Sequence, residues 1–406
     1  MADATRKRKR SAVSSDDFVS GATGKRRKVE EEKKDDTKTA LQDWKSPHNK
    51  KAAAKIDASL AGFACVTGVR GASKGDNGDM KAKIIAELEK LLKSYQSMGD
   101  KQRVMGYGRA ISNIKGYAKP ITDPKQMDEI PFIGDGIKKK VKEFMEAGKI
   151  TIVETLKADP KLSVISDFEK IWGVGPVAAQ KLYQKGVRSV EELRDRQDLL
   201  TAFQKIGLKY YDDFLERIPR AMATEISNIV AKTVKSLYGT QVKVETCGSY
   251  RRGKPTCGDV DILITRTDDK PVKGMLEPIL QSLEKSGFLY ERLGNTRLSD
   301  KGSEMYMGIC KAPKDTHFRR IDIKVYPKEQ YGFALLYFTG SDYFNRSMRL
   351  FAEKKGYKLS DHGLARVTTT AKGEKVTKDK GISCEVEEDV FKALGLPYKT
   401  PAERDI

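Results

Sequence analysis

The chain has 406 residues, of which 38% are hydrophobic and 33% charged, so it is long enough for two or three domains with cores of their own. Lysine and arginine outnumber aspartate and glutamate by 77 to 57, a formal net charge of +20, which predicts a polyanionic partner. No apolar run is long enough for a membrane span, and no apolar segment follows the charged N-terminus. We therefore expect neither a membrane partner nor a secretory signal.

Residues 1–78 are rich in Lys, Ser, Asp and Ala and have little hydrophobic periodicity, which predicts a disordered basic tail. Within it, residues 6–10 (RKRKR) and 25–28 (KRRK) form two basic clusters whose spacing is typical of a two-part nuclear import signal. The alternative is a solvated charge run that adds nonspecific affinity for DNA. Because the remainder of the chain also predicts a nucleic acid partner, we expect the protein in the nucleus.

Helical periodicity dominates the next part of the chain. Ile84, Leu88 and Leu91 recur at the spacing of one helix face. Further helices are predicted at 104–117, 137–147, 177–185 and 223–237. With glycine and proline between them, these helices predict that the chain is mostly α-helical up to about residue 240.

Two glycine-containing segments between these helices are candidates for DNA contacts. In 171–179 (IWGVGPVAA), Gly173 and Gly175 permit left-handed backbone and let amides approach a phosphate. This pattern is typical of a helix-hairpin-helix motif, which binds the DNA backbone without reading sequence. The alternative is an ordinary glycine-rich connector. The segment 130–136 (IPFIGDG) is a weaker copy, because Phe132 stands where the first glycine is expected.

From residue 242 the hydrophobic period changes from helical to two, which predicts strands with one buried face. The predicted strands are 242–246, 260–264 and 321–325, and a helix is predicted at 275–286. The chain is therefore expected to be a multidomain α+β protein, with helical domains first and an α+β part from residue 241 onward.

Three aspartates carry the strongest chemical signal. Strand alternation places Asp259 and Asp261 on one face, with Val260 and Ile262 toward the core, and Asp322 lies in the later strand. If the two strands are neighbours the carboxylates converge, and like charges about 4 Å apart repel by roughly 4 kcal/mol at an effective dielectric near 20. We therefore expect two Mg²⁺ ions, with Mn²⁺ as a substitute, because all-oxygen ligands suit them. A lone Asp-x-Asp is more often a solvated strand, but the third acid favours a metal site.

The segment 248–253 (GSYRRG), just ahead of these acids, predicts a phosphate site. The hydroxyl of Ser249 and the turn amides can bind phosphate oxygens, and Arg252 can neutralise their charge. Two metals held by the aspartates can activate a 3′-hydroxyl and stabilise a departing pyrophosphate. Together these residues predict nucleotidyl transfer.

From near Met80 to its end, the sequence resembles family X of the DNA polymerases. The motifs GSYRRG, GDVD, RRIDI, LLYFTGS and FNRSMR occur in the order and at the spacing of that family. The members that it most resembles carry a BRCT domain ahead of this core. The residues before Met80 are too few for one, so we expect an architecture without it.

The resemblance implies a division of the chain and a role for each matching residue. The implied parts are a lyase-like domain at 79–157, a DNA-binding helical subdomain at 158–240, a nucleotidyltransferase palm at 241–332 and a subdomain that binds the nascent base pair and selects the nucleotide at 333–406. The implied metal-binding catalytic residues are Asp259, Asp261 and Asp322. The implied nucleotide contacts are Arg217, Ser249, Arg252 and Gly258 at the triphosphate, Tyr337, Phe338 and Gly340 at the sugar, and Asp342 and Asn345 beside the base. Arg349 matches a position near the template. For Tyr337 and Phe338 the alternative is a buried aromatic pair.

The same resemblance implies a 5′-deoxyribose-phosphate lyase in the first helical domain. Lys140 matches the Schiff-base lysine of members with this activity, whose amine attacks the sugar aldehyde of an abasic site and promotes β-elimination. Arg103 and Tyr107 match positions that hold the 5′-phosphate. Gly136, however, stands where those members carry another basic phosphate contact. The alternative is that the lysines at 138–140 form a solvated helix surface that faces DNA.

The resemblance thus implies a template-dependent DNA polymerase that fills short gaps in base excision or end-joining repair. Its expected partners are gapped or nicked double-stranded DNA and deoxynucleoside triphosphates, together with a repair ligase and scaffold proteins. A template-independent terminal transferase is a second interpretation, but such relatives carry a long insert before the third catalytic strand, and residues 293–303 are short. A noncatalytic DNA-binding repair scaffold is a third, and it would lack the catalytic acids.

Overall fold

The computed structural model describes residues 63–67, 79–117, 119–369, 375–377 and 382–405. Both basic clusters of the predicted import signal lie outside these ranges. Within the described part, no helix is both long enough and apolar enough to cross a membrane.

Helices follow one another from Ala64 to Tyr238. In chain order they are α1 (Ala64–Thr67), α2 (Lys81–Met98), α3 (Lys101–Gly116), α4 (Asp135–Ala147), α5 (Thr151–Lys157), α6 (Pro160–Glu169), α7 (Pro176–Gln184), α8 (Val190–Asp195), α9 (Ala202–Lys209), α10 (Tyr211–Leu215) and α11 (Arg220–Tyr238). The helices predicted from periodicity correspond to α3, α4, α7 and α11, with small shifts at their ends.

These helices form two cores that touch each other. Helices α2 to α5 surround the first core, to which Ile84, Leu88 and Leu91 contribute as predicted. Helices α6 to α10 surround the second core. The side chain of Gln180 on α7 donates a hydrogen bond to the carbonyl of Ser97 on α2, at 2.6 Å. The first helical group is therefore fixed against the second by polar contacts as well as by packing.

A mixed sheet follows the helices. This part of the chain contains β2 (Val242–Thr246), α12 (Gly248–Arg251), β3 (Thr256–Cys257), β4 (Val260–Arg266), α13 (Leu276–Lys285), β5 (Leu289–Arg292), β6 (Arg297–Leu298), β7 (Glu304–Cys310) and β8 (Arg319–Val325). The short strand β1 (Ile218–Pro219) precedes α11 and pairs with β3 in a separate two-stranded sheet. The main sheet has the strand order β2-β4-β8-β7-β5, and β6 pairs with β7. Strands β4 and β8 run parallel, whereas the other neighbours are antiparallel. The three predicted strands correspond to β2, β4 and β8.

The last part of the chain is helical with a small sheet. Its elements are α14 (Tyr331–Thr339), α15 (Asp342–Lys354), β9 (Tyr357–Ser360), β10 (Gly363–Thr369), β11 (Lys375–Thr377) and α16 (Glu387–Leu394). The three strands pair in the order β11-β10-β9. Phe344, Phe351 and Phe391 are fully buried in the core of this part.

The main sheet buries both faces, each against different helices. One face carries Val260, Ile262 and Ile323 into a core with α11 and α13. The opposite face contributes Leu263 to a smaller cluster with Tyr331 at the start of α14. Residues that alternate with the first set along β4 and β8 therefore face toward α14.

One described segment, residues 63–67, lies within the predicted disordered tail. Residues 1–78 were expected to form a disordered tail, but Cys65 in α1 is fully buried in the core of the last part of the chain. Its backbone amide donates to the hydroxyl of Ser347 at 3.1 Å, and the ring of Phe63 packs edge-on against Phe351 with centroids 5.8 Å apart. The prediction was wrong for 63–67 because this short apolar segment is ordered by a helix far along the chain, which local periodicity does not reveal.

We expect Phe63→Ala to lower the free energy of unfolding by about 1–2 kcal/mol, since it removes a half-buried ring and an edge-on aromatic contact. Thermal or urea unfolding measures the change. Leu298→Ala is the control, because Leu298 is an exposed apolar side chain on β6. If the two variants have the same free energy of unfolding, the segment does not stabilise the fold.

Candidate active site

The three predicted catalytic aspartates lie at one end of two neighbouring strands. Strands β4 and β8 pair in parallel register with Asp261 opposite Asp322, and Asp259 immediately precedes β4. The alternate residues Val260 and Ile321 point into the core on the other face, as alternation predicted. The fold therefore brings two of the carboxylates side by side and the third next to them.

Two basic side chains of β8 neutralise these carboxylates. The ammonium of Lys324 lies 2.5 Å from Oδ1 of Asp261 and 3.3 Å from Oδ2 of Asp322, and this lysine side chain is only 4% exposed. The guanidinium of Arg320 donates to the carboxylate of Asp259. Neither residue was singled out from the sequence, although a signal was present. In RRIDIKV both alternate with the isoleucines and so share the face of Asp322.

The electrostatics of this cluster favour cations. Burial raises the pKa of Asp259, and the neighbouring charge of Asp261 raises it further. Burial is also the main cause of the raised pKa of Asp322. Burial alone would lower the pKa of Lys324, but the carboxylates of Asp261 and Asp322 outweigh it, so that the pKa is raised. The acids are thus desolvated and crowded, and a positive charge beside them is strongly stabilised.

The donor atoms fit divalent metal ions, but the carboxylates are not arranged around an open metal position. Throughout the described ranges, no group of three or more His, Cys, Asp or Glu side chains is arranged to hold a metal ion as it stands. The ammonium of Lys324 contacts both Asp261 and Asp322 instead. Carboxylate oxygens are the ligands that Mg²⁺ and Mn²⁺ prefer. Binding there requires that Lys324 give up at least one of its contacts.

We expect Lys324→Met to tighten Mg²⁺ binding by about tenfold, or roughly 1.4 kcal/mol, because the cation then meets two carboxylates with no competing ammonium. Titration calorimetry of the free protein with MgCl₂ measures the affinity. Lys285→Met, on the exposed side of α13, is the control and should leave Mg²⁺ binding unchanged. If the Lys324 variant binds Mg²⁺ no more tightly than the control, then Lys324 does not compete for the site.

A cleft of about 790 Å³ opens beside the aspartates. All nine side chains and glycines predicted to contact the nucleotide line it: Arg217, Ser249, Arg252, Gly258, Tyr337, Phe338, Gly340, Asp342 and Asn345. Asp259 and Asp261 also line it, whereas Asp322, beside Asp261 on β8, does not. Lys254 adds a cation to the rim that sequence reasoning did not single out.

The floor of the cleft depends on one glycine. Gly248 has a φ of 58°, and a Cβ built on it would lie 2.5 Å from Oδ2 of Asp261. A side chain at this position would therefore be strained and would displace the carboxylate. The glycine lets the chain turn from β2 into α12 directly over Asp261, which places Ser249 in the cleft.

The C-terminal end of the chain fixes the basic side of the cleft. Asp405 accepts a hydrogen bond from Nε of Arg252 at 3.0 Å and also pairs with Lys254. A second nitrogen of Arg252 donates to the carbonyl of Thr339 at 2.7 Å. The guanidinium is thus oriented by both ends of the last subdomain before any anion enters the cleft.

The wall opposite the aspartates is formed by α14 and α15. The ring of Phe338 lies over the ammonium of Lys324, 4.4 Å from the ring centroid. The amide of Asn345 donates to the carbonyl of Tyr337 at 2.6 Å, and the guanidinium of Arg349 stacks on Tyr337 at 5.6 Å. The alternative of a buried aromatic pair is wrong for Tyr337, which is 37% exposed and faces the cleft.

A buried acid links α12 to α16. Burial raises the pKa of Glu387, but hydrogen bonds from Arg404 and Arg251 outweigh it and lower that pKa to about 2. The two arginines donate to the carboxylate at 2.9 and 2.8 Å. Because Arg252 directly follows Arg251, the last residue of α12, this ion pair holds the basic side of the cleft against the last part of the chain.

Known domains match most of this chain from residue 80 to residue 405. They are described as a helix-hairpin-helix domain at 80–150, the fingers domain of DNA polymerase lambda at 166–215, the DNA polymerase beta palm at 217–328 and the DNA polymerase beta thumb at 334–405. The chain belongs to family X of the DNA polymerases. The α+β fold class predicted from the sequence is thereby confirmed.

This family X chain is similar to two curated proteins named DNA polymerase lambda. The protein of Rattus norvegicus is 42% identical over 324 residues, which cover 79% of this chain and 56% of the relative. The protein of Arabidopsis thaliana is 37% identical over 334 residues, which cover 81% of this chain and 63% of the relative. This chain thus spans roughly three fifths of the length of the curated relatives that it matches.

The residues predicted for the lyase site lie in the first helical domain and do not line the cleft. The amine of Lys140 on α4 donates to the carbonyl of Gly136 at 3.2 Å. The side chain of Arg103 stacks on Tyr95, whereas Tyr107 is only 6% exposed and belongs to the first helical core. Sequence reasoning had assigned Tyr107 only a phosphate contact and missed its place in the core.

The second hairpin lies between α6 and α7. Gly173 has a φ of 83°, and Gly175 precedes the first turn of α7. The side chain of Gln204 on α9 donates to the carbonyl of Gly173 at 2.9 Å. Gly173 therefore has the left-handed backbone expected for the two glycines, whereas Gly175 is extended with a φ of −90°, and α9 contacts the hairpin.

Proposed function

We propose that this chain is a template-dependent DNA polymerase that fills short gaps in DNA repair by two-metal nucleotidyl transfer. The observation that carries the proposal is the single cleft in which the predicted triphosphate, sugar and base contacts meet Asp259 and Asp261. Its proposed partners are deoxynucleoside triphosphates and gapped or nicked double-stranded DNA, together with a repair ligase and scaffold proteins. Its proposed location is the nucleus.

In this proposal each wall of the cleft has one task. Ser249 and Arg252 bind the triphosphate, because they present a hydroxyl donor and an oriented cation. Tyr337 and Phe338 contact the sugar, and Asn345 tests the shape of the base pair through minor-groove acceptors common to all pairs. Asp259, Asp261 and Asp322 would hold the Mg²⁺ ions. When bound, these ions activate the 3′-hydroxyl and stabilise the charge of the departing pyrophosphate.

Each proposed subdomain has its own role. A lyase-like domain at 79–157 and a DNA-binding subdomain at 158–240 precede a palm at 241–332 and a nucleotide-selecting subdomain at 333–406. The basic excess of the chain and the hairpin at Gly173 support backbone contacts to DNA. A terminal transferase is disfavoured because β5 and β7 are joined by a short connection that contains only β6.

We expect Asp322→Ala to reduce Mg²⁺-dependent nucleotide incorporation by at least about 10³-fold, equivalent to roughly 4 kcal/mol of activation barrier, because it removes a proposed metal ligand. The measurement is nucleotide addition to gapped, nicked and single-stranded DNA, with and without a template strand. Asp300→Ala, at an exposed turn, is the control for loss of an acid.

Three outcomes of this assay are informative. Addition that depends on the template and is highest on gapped DNA supports the proposal. Addition to single strands without a template would identify a terminal transferase instead, and no addition by the unaltered protein would leave a DNA-binding scaffold. Full activity of the Asp322 variant would reject the assignment of the metal ligands.

We further propose a 5′-deoxyribose-phosphate lyase activity at Lys140. The amine condenses with the C1′ aldehyde and releases water, and loss of a C2′ proton from the imine then breaks the C3′–O bond by β-elimination. Lys140 is on α4 and its ammonium donates to the backbone carbonyl of Gly136, and no carboxylate of the described residues forms an ion pair with it. Arg103, on the first turn of α3, is the proposed 5′-phosphate contact, together with the hydroxyl of Tyr107.

Borohydride reduction in the presence of DNA with a 5′-deoxyribose phosphate should trap a covalent adduct, which Lys140→Ala should reduce by at least about tenfold. Lys142→Ala is the matched control, because Lys142 lies two residues further on the same helix and is exposed. If the Lys140 variant still forms the adduct in full, then another lysine is the nucleophile. Absence of any adduct in the unaltered protein would remove the lyase proposal and leave polymerisation untouched.

A further inference from the structure

The first hairpin, residues 130–136, contains a phenylalanine in a backbone conformation that favours glycine. Phe132 has a φ of 62°, and it is the one non-glycine residue with positive φ in the described ranges. Its ring is 72% exposed. Left-handed backbone is disfavoured for residues with a Cβ, and a bulky residue there is a genuine outlier. An exposed ring contributes little packing in return, so folding alone does not account for Phe132.

The second hairpin shows what this position normally holds. Gly173 is its counterpart and has a φ of 83°. The next residues also correspond, since Ile133 and Val174 are both buried. Gly134 and Gly175 then precede their helices with similar backbone angles, φ −79° and ψ 162° in the first and φ −90° and ψ 176° in the second. The first hairpin has therefore kept the backbone of the motif while replacing its glycine by an aromatic residue.

The charges around Phe132 also differ from those of a simple phosphate-binding hairpin. Asp135 is the first residue of α4 and its side chain is 92% exposed, so a negative charge stands at the helix end where a phosphate would approach. One turn later, Lys138 pairs with Asp128 and Asp135, whereas Lys139 is exposed. The backbone amides of this hairpin are thus poorly placed to attract a phosphate, and the contacts available to DNA are an aromatic ring and the lysines behind it.

We propose that Phe132 is a DNA-contacting residue whose ring stacks on the terminal base at the 5′ margin of a gap. This inference rests on the proposed function, since it requires gapped DNA as the partner. The 5′ margin is chosen because Lys140, the proposed lyase nucleophile for that end, lies on the helix that follows the hairpin. Aromatic side chains stack on exposed bases without regard to sequence, which suits a protein that must accept any gap.

The test uses Phe132→Gly, because relief of the backbone strain should stabilise the free protein whereas loss of the stacked ring should weaken DNA binding. Glycine relieves the left-handed backbone, so the melting temperature of the free protein should rise or stay equal. Affinity for a gapped duplex with a 5′-phosphate should nevertheless fall by at least about fivefold, since a base–aromatic stack is lost. A 2-aminopurine at the 5′ margin should be quenched on binding by the unaltered protein and by Phe132→Trp, but not by Phe132→Gly.

Two further variants separate this contact from charge. Lys139→Ala should reduce the slope of log affinity against log salt, whereas Phe132→Gly should lower affinity and leave the slope unchanged. Leu298→Ala removes an exposed apolar side chain outside both hairpins and should change neither quantity. Equal binding and equal 2-aminopurine quenching by Phe132→Gly and the unaltered protein would overturn the inference.

The proposed function fails in a different way from this inference. If the unaltered protein adds no nucleotide to the same gapped duplex, the proposed polymerase activity is wrong. If it adds nucleotides and binds tightly, but Phe132→Gly does so equally well, only the role of Phe132 is wrong. Loss of binding by Phe132→Gly together with a lowered melting temperature would point to a structural role and would also overturn the inference.

Discussion

The arrangement of the candidate active site depends on holding carboxylates together that repel one another. Asp261 and Asp322 are opposite each other on parallel strands, and like charges about 4 Å apart cost roughly 4 kcal/mol at an effective dielectric near 20. The buried ammonium of Lys324 offsets that repulsion, and the core on the other face of the sheet fixes the register. Binding of divalent ions at these carboxylates would require the same ammonium to give up a contact, so the proposed metal binding and the stability of the fold would be coupled at one lysine.

The surroundings of Lys324 connect to the wall of the cleft opposite the aspartates through aromatic and ionic contacts. Phe338 covers the ammonium of Lys324, so a shift of α14 alters the surroundings of the charge that neutralises the aspartates. On the other side, Arg252 is held by Asp405 and by the carbonyl of Thr339 at the end of α14. Anion binding by Arg252 therefore competes with contacts that position the last subdomain. The cleft and the placement of that subdomain are consequently parts of one ionic network.

The sequence predicted what local alternation and spacing determine. The strand at 242–246, the opposite orientations of Asp261 and Ile262, and the left-handed Gly173 all follow from patterns a few residues long. It did not predict contacts made across large separations, such as Cys65 with Ser347, 282 residues apart, or Arg252 with Asp405, 153 apart. Such pairings depend on how the domains pack, and neither charge nor apolar character alone identifies the partner.

The first hairpin shows why a motif is better recognised by its backbone torsion angles than by its residue types. Judged by residue type, Phe132 marks 130–136 as a weakened copy of 171–179, yet the torsion angles of Gly134 and Gly175 agree closely. The buried Ile133 and Val174 anchor the two turns in the same way, because each inserts one branched side chain into its own helical core. Once the buried residue and the following helix fix the turn, the preceding residue, Phe132 or Gly173, is held in the left-handed region whatever its side chain. The residue type at that position can then be determined by binding. A positive φ at a non-glycine residue there indicates function, and the sequence alone does not show it.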